Sequence, residues 1–90
     1  LLDPLLEELG LTPRMVDVLA LLFRGQSNKL IARELGISPF TVAGYVSVLL
    51  KKLEVTSRAQ VPLRVQDLRE LLFAWDSERR RQRPASKKQQ

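Results

Sequence analysis

Cysteine and histidine are both absent from this sequence. Without cysteine there is no disulfide framework and no thiolate metal site. Without histidine the commonest general base and metal ligand is missing. Carboxylates, lysines and Tyr45 remain for acid–base work, but no paired arrangement of them is visible. No enzyme activity, metal or cofactor is therefore expected. Long apolar runs are lacking too. The longest, Val18 to Phe23, is far too short to span a membrane. The stretch begins Leu1-Leu2 with no signal-peptide pattern. It is expected to be the end of a longer cytoplasmic protein, without a membrane partner.

Ninety residues allow one small domain. A chain of this size buries a modest core, so partner contacts can matter to its stability. The formal charge of +5 is unevenly placed. Six bases and no acids follow Glu78, namely Arg79, Arg80, Arg81, Arg83, Lys87 and Lys88. Residues 1–78 hold nine bases against ten acids, a net of −1. The basic signal is thus terminal. Such a tail reads either as a non-specific attractor of nucleic acid or as a solvated, disordered end.

The pattern of the chain is helical throughout, with no strand signal and no repeat. Residues 1–10 read as a linker or short helix, with Asp3 as cap, Pro4 at the first position and Gly10 at the end. Thr12-Pro13 opens the next helix, where Met15, Val18, Leu19 and Leu22 form a core stripe. Val16, Ala20 and Phe23 make a second stripe, which needs its own cover from residues 1–9, a C-terminal helix or a partner chain. Ser27 caps a short helix, Asn28 to Leu35, and Gly36 ends it in a left-handed turn. Ile37 enters the core from that turn. Ser38 and Pro39 open a longer helix whose Val42, Val46, Leu49, Leu50 and Leu53 face inward.

Ser57 caps a last helix starting at Arg58, with a kink or restart expected near Pro62. Leu68, Leu71, Leu72 and Trp75 form its stripe, and Asp76 pairs with Arg80 at i, i+4. Fraying is expected in the arginine run. The predicted fold is all-α: a small helical bundle with a helix-turn-helix and an extended C-terminal helix over residues 62–82. Residues 83–90 are expected to be a disordered basic tail.

A short helix, a glycine turn and a longer capped helix make a helix-turn-helix, whose second helix enters the DNA major groove. Spacing alone leaves an ordinary helical bundle open. The wording goes further. "LTPR", "LLFRGQSNKLIARELGIS", "TV" and "KKLEVTSRAQ" resemble the LuxR-type (NarL/FixJ) DNA-binding domain, over about residues 11–61. The pattern G-x-S-N-K-x-I-A-x-x-L-G-I-S-x-x-T-V is matched by Gly25 to Val42. The resemblance implies the output module of a response regulator or ligand-sensing transcription factor, with a sensor or receiver domain outside this stretch. It also implies a homodimer formed through the last helix. Arg58, Val61, Leu68, Leu72 and Trp75 are the candidate dimer residues.

Residues that match the family carry over its roles. Asn28 and Lys29 resemble backbone-contacting positions at a helix N-terminus, where amides and a cation suit a phosphate. Thr41, behind the capping Ser38, matches a phosphate-side position. Lys51 and Lys52 match a basic pair, although each alone reads equally as a solvated surface charge. The departures are specific. Met15 stands where glutamate is common, which removes a capping-box partner for Thr12. Ala43 replaces a common lysine and Tyr45 a common histidine, and many members carry a polar or basic residue at Ser47. Pro62 falls inside the family's dimer helix, and the extension beyond it exceeds the usual family ending.

The outward face of the longer helix is therefore Phe40, Gly44, Ser47 and Lys51, joined by Ala43. It has no side chain for a two-pronged bond to a base before Lys51. Two functions follow from it. The first is a dimeric DNA-binding regulator that reads double-stranded DNA by apolar contact and groove shape. The second is a helix-turn-helix used mainly for protein interaction, with weak or no specific DNA binding.

Overall fold

A computed structural model describes residues 7–83. Helix α1, Pro13–Phe23, is set by its cap: Thr12 Oγ1 accepts the Met15 amide at 3.2 Å, and Pro13 fills the first position. The expected loss of the reciprocal bond does not occur. Met15 Sδ accepts from the Thr12 amide at 3.5 Å, so a thioether, a weak acceptor, stands where a carboxylate would. Residues 15–22 of α1 are all buried. A helix buried on every side is the centre of its domain.

Helix α2, Asn28–Leu35, starts at Ser27, whose Oγ accepts the Leu30 amide at 3.2 Å. It ends at Gly36 with φ 70°, as expected, and the Ile37 amide closes the turn on Ala32 O at 3.0 Å. Helix α3, Pro39–Leu53, starts at Ser38, whose Oγ accepts the Thr41 amide at 3.0 Å. Val42, Val46, Leu49 and Leu53 are buried, and Leu50 packs at the core's edge. Glu54 then adopts φ 60° without being glycine. That costs about 1 kcal/mol, and it lets the Val55 amide bond Leu50 O at 3.0 Å.

The expected single helix over 62–82 is two helices. After a 3₁₀ turn at Arg58–Gln60, helix α4 spans Val61–Arg64. Pro62 lies in its first turn, where no amide bond is lost, so the restart falls at Val61. The break comes at Val65, with φ −113° and ψ 23°. Buried Val61 and Val65 anchor both ends of α4, and Arg64 Nε donates to Leu53 O at 2.8 Å. A second 3₁₀ turn, Gln66–Leu68, leads into helix α5, Arg69–Gln82.

Helix α5 lies along α1 and is the cover that its second stripe required. Phe73 meets Phe23 edge to face at 5.6 Å between centroids. Leu72 and Trp75 complete the core there. The helix does not fray in the arginine run but continues to Gln82. Arg83, the first residue of the expected disordered tail, is instead paired with Glu34. Residues 84–90 of that expected tail lie outside the described residues, as does most of the expected N-terminal helix. Glu7 and Glu8 are helical, and Gly10 has φ 66°.

Candidate nucleic-acid interface

The core residues of α3 turn its opposite face outward as a connected strip. Phe40 is 87% exposed, and Ala43, Gly44, Ser47 and Lys51 are exposed beside it. Nothing lies within 4 Å of the space where a Gly44 side chain would begin. Val48, unflagged by the sequence reading, is also exposed and widens the strip. Along the axis, Phe40 and Lys51 stand about 16 Å apart at 1.5 Å per residue. Tyr45, the departure from the family's histidine, packs against the core and takes no part in the strip.

The other candidates separate into two groups. Ser38 and Thr41 sit at the head of α3, with their hydroxyls 3.0 Å apart. Lys29 is exposed at the start of α2. Asn28 is not free: its Oδ1 accepts from Arg58 Nη1 at 2.6 Å, while Arg58 Nη2 donates to Gln26 O at 2.9 Å. Arg58 therefore braces the N-terminus of α2. Lys52 points away from the strip, since a methyl group added to Gly10 would lie 3.4 Å from its Nζ.

The proposed dimer residues fare differently. Val61, Leu72 and Trp75 are buried in the chain's own core, and Leu68 is partly buried against it. None of the three buried side chains is a surface for a second copy in this fold. The sequence pattern marked Leu72 and Trp75 as apolar stripe positions and left the C-terminal helix as one of three possible covers for α1, which is the pairing found. On the same segment Leu63 is 72% exposed.

Sequence reading missed the polar centre of the molecule. Asp17 and Asp76 are each 1% exposed. Asp17 accepts Trp75 Nε1 at 2.7 Å and both Arg79 nitrogens at 2.8 Å, with Arg14 at 3.4 Å. The Arg79 guanidinium also lies 5.3 Å from the Trp75 ring centroid. Asp76 pairs with Arg80 Nε at 2.9 Å, as its i, i+4 spacing predicts. Arg24 and Arg83 flank it at 3.6 and 3.8 Å. Glu34 on α2 holds Arg83 at 2.6 Å and Arg80 at 3.8 Å. The hydrogen bond to Asp17 raises the Arg79 pKa, and the bond to Asp76 raises that of Arg80. A raised arginine contributes stability that is full below its ordinary value and is lost only at strongly alkaline pH. A signal did exist: Asp17 interrupts an otherwise apolar helix, and the arginine run needed acids to face.

A capped short helix, a left-handed glycine and a longer helix with one open face define a helix-turn-helix domain. The chain belongs to the family described as "Bacterial regulatory proteins, luxR family", whose family model matches residues 9–65. It is 42% identical over 59 residues to the nitrate/nitrite response regulator protein NarL of Escherichia coli, 66% of this chain and 27% of that protein. It is 42% identical over 57 residues to the transcriptional regulatory protein DesR of Bacillus subtilis, 63% of this chain and 29% of that protein. A third relative, the transcriptional regulatory protein YhcZ of Bacillus subtilis, is 53% identical over 53 residues, 59% of this chain and 25% of that protein. The chain thus spans little more than a quarter of their length. No solved structure matches. Helix α5 and its arginines lie beyond the matched segment.

Proposed function

We propose that this domain is the DNA-binding output module of a transcriptional regulator and that α3 enters the major groove. The observation that carries this is the open strip on α3, within a fold whose family is one of bacterial regulators. Lys29, Ser38 and Thr41 would hold phosphates on one side and Lys51 on the other, and these contacts set register rather than sequence. The relatives' greater length supports a sensor or receiver domain elsewhere in the protein, here taken to be cytoplasmic. Among the described residues no helix is long and apolar enough to cross a membrane.

Dimerisation belongs to the same proposal, with Leu63 and its exposed neighbours Ala59 and Gln66 as the contact in place of the buried stripe. Sedimentation at rising concentration tests it; a monomer throughout contradicts it.

Binding to a randomised duplex pool at several salt concentrations tests the DNA reading. The intact chain is compared with one ending at Arg83, which keeps every paired arginine and drops Lys87 and Lys88. Selective binding that survives the shortening supports α3 as the reader. Binding that is unselective and disappears with residues 84–90 overturns it, and favours the protein-interaction reading that the exposed Phe40 also suits.

A further inference from the structure

We infer that the α3 strip selects its site through thymine methyl groups. This rests on the DNA-binding reading above and adds to it what is read. In the major groove, thymine alone among the four bases offers a methyl, and the other features are hydrogen-bond donors and acceptors. The strip has little to answer those. Phe40, Ala43, Gly44 and Val48 are apolar and exposed, and Ser47, a single hydroxyl, bonds almost any base edge. Lys51 lies about 16 Å from Phe40, three helical turns further on. Arginine, asparagine and glutamine, which fork onto guanine or adenine, do not occur between Pro39 and Leu53, and lysine, which can also reach guanine, enters only at the far end as Lys51 and Lys52.

The shape fits the same chemistry. Gly44 has no side chain, and the space in front of it is open, so the α3 backbone can approach the groove floor there. Phe40 and Val48 stand one turn to either side of Gly44, and both are exposed. With Gly44 between them they leave an apolar stretch that is open at the glycine. Charge supports a duplex as its occupant. The Ser38–Thr41 hydroxyl pair lies at one end of the strip and Lys51 at the other, with no carboxylate on α3 between them.

The test compares the selected duplex with duplexes in which thymines are replaced one at a time by deoxyuridine, which removes only the methyl. The full chain should lose about fourfold in affinity for each methyl it contacts, the value expected for one buried carbon. Phe40→Ala should bind the thymine duplex more weakly and be indifferent to deoxyuridine at the positions that Phe40 meets. That crossed comparison separates methyl contact from any change in duplex stiffness. A thermal melt of Phe40→Ala confirms its fold. Equal affinity for thymine and deoxyuridine duplexes overturns methyl reading while leaving DNA binding intact, and so does a Phe40→Ala chain with undiminished deoxyuridine sensitivity. Absence of selective binding to any duplex overturns both readings.

Discussion

Helix α5 and helix α3 carry their exposed and buried chemistry in opposite order. The arginine-rich end of α5 looks like the DNA-binding part, yet Arg79, Arg80 and the capping Arg83 turn back onto Asp17, Asp76 and Glu34. Helix α3 looks too apolar to bind a polyanion, yet its apolar strip is what the fold leaves open. Cations in sequence are therefore a poor guide to cations at a surface. Charge that a small core needs to neutralise its own buried acids is not available to a ligand, and a near-neutral body with an exposed Phe40 is the result.

The largest effect should come from breaking the α5 side. Asp17→Ala leaves Arg79 and the Trp75 indole without their shared acceptor inside the core. The Arg79 side chain is 35% exposed and water partly replaces its partner, so the cost is about 3 kcal/mol, carried mainly by the buried indole N–H left unpaired and still a large part of a small domain's stability. Urea denaturation should show it as a much lower midpoint. If the midpoint is unchanged, the arginines are not structural and the contrast with α3 fails.

Leu63→Glu comes next and acts between chains. Putting a charge at the proposed dimer contact should weaken self-association by about 1.5–3 kcal/mol, the worth of a buried leucine, with the monomer's melting point preserved. Sedimentation reads it directly. Trp75→Phe sharpens the comparison further, since it removes one hydrogen bond to Asp17 while keeping most of the packing. A loss of about 1–3 kcal/mol is expected in the same denaturation. Phe40→Ala should be the mildest for stability, within about 0.5 kcal/mol, because the side chain is already in solvent. Its effect should instead appear in DNA affinity.

Much of the fold was legible because its signals are local. Thr12, Ser27 and Ser38 cap the helices their positions announce, and Gly36 turns where the motif needs it. The strip on α3 followed from the same periodicity. What could not be read was which surfaces meet. The stripe ending in Leu72 and Trp75 was visible, but its partner, α1, lies more than fifty residues away, and helical spacing carries no information across that distance. Asp17 was overlooked for the same reason: its partners are on α5. The restart expected near Pro62 falls at Val61, but the second break, at Val65, was not anticipated. A proline in the first turn of a helix obstructs nothing, whereas buried Val61 and Val65 and the Arg64 bond to Leu53 hold the chain where it bends.

On the proposed reading α3 meets DNA while Arg79, Arg80 and Arg83 do not. Amide and side-chain chemical shifts of the full chain, followed while a selected duplex is added, test it most directly. Shifts are expected over Asn28, Lys29 and Ser38 to Lys51, with the guanidinium signals of Arg79, Arg80 and Arg83 unmoved. Shifts confined to α5 and residues 84–90, with Phe40 and Ser47 unaffected, would contradict it.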